Sequence, residues 1–244
     1  MGHGWEGAVL KLLRGKDFTF TVTDTEAVND RLRRIRLSDG GMLAVTGTHP
    51  TMWVRLWFER AGKPHQRGYT LVDPDPEKGT FGLEFVLHPG PASDWARAAR
   101  PGDTIEATVH GTEFTRPEPA PAHLYVIGDP ASLPAINSLL DELGEASATI
   151  WYETSHPLDE RLPMRLDPAR HQLRTVLRRD KGAGLVEEIR STLPDLLRSH
   201  RSTDEYYVWV ACDTVTTRSL ATYLRKELSV PKPRVKALGY WRPA

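Results

Sequence analysis

RGYTLVDPDPEKGTFGLEFVLHPGPASDW, residues 67–95, decides how this chain reads. Arg67 brings a cation, Tyr69 a flat aromatic face and Thr70 a short hydroxyl, all within one tight segment. A Pro- and Asp-rich turn follows, and then GLEFVLH (82–88), which has the composition of a strand. Gly90-Pro91-Ala92-Ser93 opens a helix over 91–99, with proline near its start, where a missing N–H does no harm. The first amides of such a helix have no partner within it, and the helix dipole favours an anion beside them. A planar ring and a phosphate could be held some distance apart by this stretch, so it reads as a flavin site.

Working outward, DFTFTVTD (17–24) alternates apolar and polar residues. In DRLRRIRL (30–37), Leu32, Arg34 and Arg36 share one face, with Arg33, Ile35 and Leu37 on the other. MWVRLWFER (52–60) and DTIEATV (103–109) add further strands. Gly40-Gly41, the segment Gly47–Pro50 and Ala61-Gly62-Lys63-Pro64 are turns between them. About six short strands and one small helix predict a closed antiparallel β-barrel over residues 1–116.

RPEPAPA (116–122) changes the texture, because prolines at 117, 119 and 121 favour an extended connector without ladder donors. Residues 117–122 are therefore expected to be a linker and 123–244 a second domain. There, continuous apolar strands alternate with helices. HLYVIGD (123–129), ATIWYET (148–154), LRTVLR (173–178), EYYVWVACD (205–213) and RVKALGYW (234–241) read as strands. Helices fall at 132–143, at 184–197 with a kink or an end before Pro194, and at 214–228. Such alternation indicates a Rossmann-like parallel sheet covered on both faces. Ligands bind such sheets beyond the carboxyl ends of the strands, here Gly128-Asp129 and Cys212-Asp213. GDPAS (128–132) is neither a P-loop nor a GxGxxG fingerprint, and it suits a nucleotide cradle or a capped strand-to-helix turn equally.

The composition narrows the function further. A formal net charge of +0 over 244 residues gives no electrostatic reason for a nucleic-acid surface. The one cysteine supports neither a disulfide framework nor a cysteine-ligated metal, and Cys212 reads as an inert buried residue. Nine histidines without HExxH argue against a catalytic metal, and His88, at a strand end, reads as a structural hydrogen-bonding residue. The absence of GxSxG argues against a serine hydrolase of that kind. No signal peptide or membrane span is expected, which makes the cytoplasm the expected location.

The RxYT segment, the Gly-Pro-Ala-Ser helix mouth and the α/β domain behind them resemble the ferredoxin-reductase superfamily. FVLHPGPASDWARAARPGD (85–103), GDPASLPAI (128–136) and GYWR (239–242) are similar, more narrowly, to the siderophore-interacting protein family. The resemblance runs over almost the whole chain in the expected order. It implies a flavin-dependent ferric-siderophore reductase whose redox chemistry belongs to the cofactor rather than to a catalytic side chain. It implies FAD held by Arg67, Tyr69 and Thr70, by the backbone of Phe85, Val86 and His88, and by the amides of Ala92 and Ser93, with Tyr240 and Trp241 near the flavin. NADH or NADPH would lie against Gly128, Asp129, Ala131, Ala211 and Asp213. A ferric siderophore is often anionic, which makes Lys232, Arg234, Lys236 and Arg242 the candidate substrate contacts. Three positions depart from the family pattern. Val72 replaces a second phosphate-binding arginine, His110-Gly111-Thr112 a Gly-Pro turn, and Ala211-Cys212-Asp213 an Ala-Gly-Glu. They keep two other readings open: a flavoenzyme with a non-iron acceptor, and a binding protein without stable flavin chemistry.

Overall fold

In the computed structural model, residues 15–110, 114–156 and 163–243 are described, and the chain divides into two compact units between Phe114 and Thr115.

The first unit is a curled antiparallel sheet. Its strands are β1 (Lys16–Asn29), β2 (Leu32–Ser38), β3 (Trp53–Arg60), β4 (Lys63–Thr70), β5 (Val72–Asp75), β6 (Thr80–Val86) and β7 (Thr104–Val109). They run in the order β4-β3-β7-β1-β2-β6-β5. Seven strands are present where about six were expected, because Val72–Asp75 pairs with β6 instead of forming only a turn. Among the described residues no ladder joins the two edges, so the sheet is curled and not closed. The curl follows from the chain itself. β4 and β5 lie at opposite edges yet are joined by Leu71 alone, whose amide is tied to the Met52 carbonyl at 2.8 Å. Across the gap Tyr69 of β4 packs on Phe85 of β6, with ring centroids 4.3 Å apart.

Alternation puts Phe20, Ile35, Leu37, Leu56, Phe81 and Leu83 inside, all essentially buried. Gly40 turns the chain after β2 at φ 60°, and a Cβ there would lie 2.3 Å from the Thr19 carbonyl. A side chain larger than hydrogen is excluded twice over. Among the described residues the helices α1 (Met42–Thr46) and α2 (Pro91–Ala98) accompany the sheet.

The second unit is a five-stranded parallel sheet of β8 (His123–Gly128), β9 (Ser147–Thr154), β10 (His171–Leu177), β11 (Tyr206–Ala211) and β12 (Val235–Ala237), ordered β10-β9-β8-β11-β12. Its helices are α3 (Leu133–Asp141), α4 (Ala183–Arg198) and α5 (Thr214–Thr222), the last continuing as a π-helical turn over Tyr223–Glu227. α4 runs through Pro194 without ending. Proline removes the N–H that would bond the Arg190 carbonyl four residues earlier. The Tyr223 hydroxyl donates to that carbonyl at 3.4 Å instead.

The chain passes from β8 to β9 and β10 on one side, then returns to place β11 on the other side of β8. The strand order therefore reverses between β8 and β11, where Gly128 and Ala211 are paired. A crevice at such a switch point is the usual ligand site of an open parallel sheet.

Candidate functional site

In the first unit the candidate residues gather at the end of β4 and the start of α2. Tyr69 is half-buried in an aromatic cluster, in contact with Phe85 and with Phe58 at 6.3 Å, while Trp95 of α2 meets Phe58 and Phe85 at 5.9 and 5.7 Å. Burial holds the Tyr69 phenol above its usual pKa, with the Arg67 charge pulling the other way. Arg67 is exposed and donates to the Gln66 carbonyl at 2.7 Å. Thr70 is buried, and its Oγ1 has no hydrogen-bond partner. A buried hydroxyl without a partner costs roughly 1–3 kcal/mol, which makes this atom a candidate ligand contact.

Past β6, the His88 amide donates to Ser93 Oγ at 3.1 Å, and His88 Nδ1 donates to the Pro89 carbonyl at 3.0 Å. These bonds fold the turn so that α2 begins beside the end of β6. No side chain caps α2, and its first turn includes the amides of buried Ala92 and Ser93. Val72, by contrast, is buried on β5 opposite Gly82. A packed valine puts no charge at that position.

In the second unit the carboxyl ends of β8, β9, β10 and β11 bring together Asp129, Glu153, Arg178 and Asp213. Asp129 caps the turn into α3: its Oδ1 accepts from the Ala131 amide at 3.0 Å, and its own amide donates to Ser132 Oγ at 3.0 Å. Its Oδ2 accepts from Trp241 Nε1 at 2.7 Å. Burial pushes the Asp129 pKa up to about 7, with the Trp241 bond opposing it and the Glu153 charge adding to it. Asp213 caps α5 by accepting from the Val215 and Thr216 amides at 2.9 and 3.0 Å, and from Thr216 Oγ1 at 2.7 Å. Although burial pushes the other way, the bonds from Thr216 and Arg178 hold its pKa below the usual range. Arg178 bridges Glu153 and, at 3.0 Å, Asp213. The C-terminal segment lies over this group. The Tyr240 amide bonds the Cys212 carbonyl, the Thr214 amide bonds the Trp241 carbonyl, and the Trp241 ring sits 5.0 Å from the Arg178 guanidinium.

The expected nucleotide residues are thus gathered at one crevice, with particular local duties. Gly128 lets α3 approach, since a Cβ there would meet Ser132 Oγ at 2.5 Å and Ile136 Cδ1 at 2.7 Å. Ala211 is the last residue of β11 and fully buried, and Cys212 is buried with its thiol pKa raised by burial. Among the basic candidates Lys232, Lys236 and Arg242 are exposed. Arg234 is not: it is 2% exposed and bonded to the Pro119 carbonyl and to Asp204, each at 2.8 Å. A guanidinium so enclosed ties the connector to the sheet and does not face a substrate. Of the other departures, Gly111-Thr112 lies outside the described residues. Glu153, Arg178 and Thr216 were not anticipated. The one signal for Glu153 was an acid inside an otherwise apolar strand.

Comparison with known proteins follows the division into units. Residues 16–111 match the siderophore-interacting FAD-binding domain, and residues 121–244 match the siderophore-interacting protein family. The chain is 32% identical over 249 aligned residues to the mycobactin import ATP-binding/permease protein IrtA of Mycolicibacterium smegmatis, an alignment covering 99% of this chain and 28% of that protein. This chain therefore spans less than a third of the length of that relative. An NADPH-dependent ferric-chelate reductase of Escherichia coli is 25% identical, over 76% of this chain and 69% of its own length. Among solved structures, the siderophore-interacting protein of Acinetobacter baumannii superposes with a TM-score of 0.73 at 21% identity, covering 94% of this chain and 92% of its own. A ferredoxin NADP+ reductase from Neisseria gonorrhoeae gives 0.68 at 16% identity, covering 93% and 99%. A buried hydroxyl awaiting a partner beside an aromatic cluster, an uncapped helix and both family matches lead to one conclusion: the chain belongs to the siderophore-interacting protein family and carries its FAD-binding domain in residues 16–111.

Proposed function

We propose that the protein is an FAD-dependent oxidoreductase that takes electrons from NADH or NADPH and delivers them to ferric siderophores, releasing Fe(II) in the cytoplasm, where these nucleotides are available. The observation that carries this reading is Thr70, whose buried hydroxyl has no hydrogen-bond partner among the described residues and lies next to Tyr69 on β4. The Escherichia coli relative, named as a ferric-chelate reductase, supports an iron chelate as acceptor.

The residues present fit FAD. Tyr69 offers a flat face backed by Phe85 and Phe58, and Thr70 a hydroxyl for the polar edge of a flavin ring. The backbone from Phe85 to His88 would line the ring, while the Ala92 and Ser93 amides would bind a pyrophosphate at the mouth of α2, with Arg67 as its counter-charge. When bound, FAD accepts a hydride and passes on single electrons, and the protein supplies placement and electrostatics. In the second unit, exposed Ala131, Val215 and Trp241 form the accessible wall of the switch-point crevice for the nicotinamide nucleotide. Lys232, Lys236 and Arg242 attract an anionic chelate locally in a protein without net charge. Hard oxygen chelators hold Fe(II) less tightly than Fe(III), so reduction promotes release.

Val72 omits a charge-assisted phosphate contact of about 1.5–3 kcal/mol, which lowers FAD affinity by one to two orders of magnitude relative to a chain that has it. The test is anaerobic. Purified protein loaded with FAD is mixed with NADH or NADPH, then with a ferric siderophore and a ferrous trap. Bleaching of the flavin followed by trapped Fe(II) is expected. Bleaching without ferrous product for any siderophore would move the acceptor away from iron, and a protein that ignores added FAD would remove the enzyme reading altogether.

A further inference from the structure

The cluster at the carboxyl ends of the parallel sheet bears on the choice of electron donor. Glu153 stands at the end of β9, the second strand of that sheet, roughly 20 residues beyond the turn after β8. That is where nucleotide-binding sheets of this kind place an acid against the adenosine ribose. The side chain is 1% exposed, one carboxylate oxygen is bonded to Arg178, and the other, Oε1, has no hydrogen-bond partner. Arg178 is also held by Asp213, so the cation beside this acceptor already serves two carboxylates. Asp129 adds a third acidic group, and it and Glu153 disfavour each other's charge. Two buried carboxylates thus share one guanidinium, with a third carboxyl group near Glu153.

We infer that this cluster selects NADH against NADPH, and that Glu153 determines the selection. This rests on the reading of the second unit as the donor site. A ribose 2′-hydroxyl is a donor, and Oε1 is a buried acceptor that lacks one. A 2′-phosphate brings further negative charge instead. Arg178 cannot turn to that phosphate without leaving Glu153 and Asp213 buried and unpaired, a loss far larger than that of a surface ion pair. The indole lying over Arg178 belongs to Trp241, which is 36% exposed, so the cover over this corner is a surface side chain that an entering nucleotide can displace.

The test uses the FAD-loaded protein and two readouts: calorimetric titration with NAD+ and NADP+, and kcat/KM for flavin reduction by NADH and NADPH. Binding of NADP+ about tenfold or more weaker than NAD+ is expected, with the kinetic ratio in the same direction. Glu153→Gln, checked for folding by circular dichroism, is expected to reduce that preference about tenfold by removing the charge and one of the two carboxylates that hold Arg178. Wild-type protein that binds NADP+ as tightly as NAD+ overturns the inference and leaves the donor reading standing. Binding of neither nucleotide overturns both. A folded Glu153→Gln protein with unchanged preference removes Glu153 as the determinant.

Discussion

Thr70 and Asp129 are both buried polar groups, and their partners make them opposites. The Thr70 hydroxyl has none, so Thr70→Val removes a buried unsatisfied group while keeping the shape. Thermal stability without FAD is expected to stay the same or rise, while FAD affinity falls about tenfold, the loss of one hydrogen bond of about 1–1.5 kcal/mol. A flavin titration beside a melting curve separates the two effects, and a variant that loses stability but keeps its affinity would assign the hydroxyl to the fold. Asp129 is saturated instead, with a pKa raised to about 7, mainly by burial. The folded protein keeps its proton until near pH 7, whereas the unfolded chain releases it near pH 4. This group therefore lowers stability as pH rises from about 4 to 7, on the order of 2–4 kcal/mol across that window. Asp129→Asn is expected to flatten that fall, measured by urea unfolding at a series of pH values across it. Only part of this was legible in the sequence. Arg67, Tyr69 and Thr70 stand within four residues of one another, so their association needed no fold. Asp129 meets its indole partner in Trp241, more than a hundred positions away, and Arg178 meets Glu153 only because β9 and β10 pair in parallel. Arg234 misled because a cation near other cations reads as surface, and nothing local shows that Pro119 and Asp204 enclose it.

Among the elements, periodicity carried most of the information. Apolar runs marked the strands of the second unit, and alternation marked those of the first. The failures came where a local rule was overruled from a distance. Val72–Asp75 contains a proline and two aspartates, so it reads as a turn, yet it lies on an edge, where proline leaves no ladder donor missing. Pro194 reads as a kink or an end within the helix expected over 184–197, and α4 continues through it to Arg198. The repair comes from the next helical segment: the Tyr223 hydroxyl reaches the Arg190 carbonyl, and the Arg190 guanidinium lies 4.1 Å from the Tyr223 ring and pairs with Glu227. Tyr223→Phe keeps the ring and removes that donor. A loss of about 0.5–1.5 kcal/mol is expected from chemical denaturation. If Pro194→Ala restores the helix's own N–H to that carbonyl, Tyr223→Phe in that background costs less, and equal costs in both backgrounds would show that the hydroxyl does not compensate for the proline.

For the whole molecule, the change from alternating to continuous apolar strands showed that the chain holds two kinds of sheet. The crevice needed more, because a switch point depends on which side of β8 receives β11, and no strand's own sequence states that. Each unit has its own buried core, Phe20, Leu37 and Leu83 in the first and Ile127, Val208 and Leu220 in the second. Ligand stabilisation falls first on the elements that bind, and a ligand at a hundred times its Kd adds about 2.7 kcal/mol. Hydrogen exchange can therefore read the division of labour directly. Adding FAD is expected to slow exchange at residues 67–70 and 85–93, and adding NAD+ to slow it at 128–132 and 211–216. β1 and β2 serve as the internal reference in the first experiment, and the amino ends of β8 and β11 in the second. Protection by FAD confined to the second unit would overturn the assignment of the flavin to β4 and α2. Protection by NAD+ that spared the ends of β8 and β11 would show that the switch-point crevice is closed to the nucleotide, with Asp129, Glu153 and Asp213 acting only to hold the helices and the C-terminal segment in place.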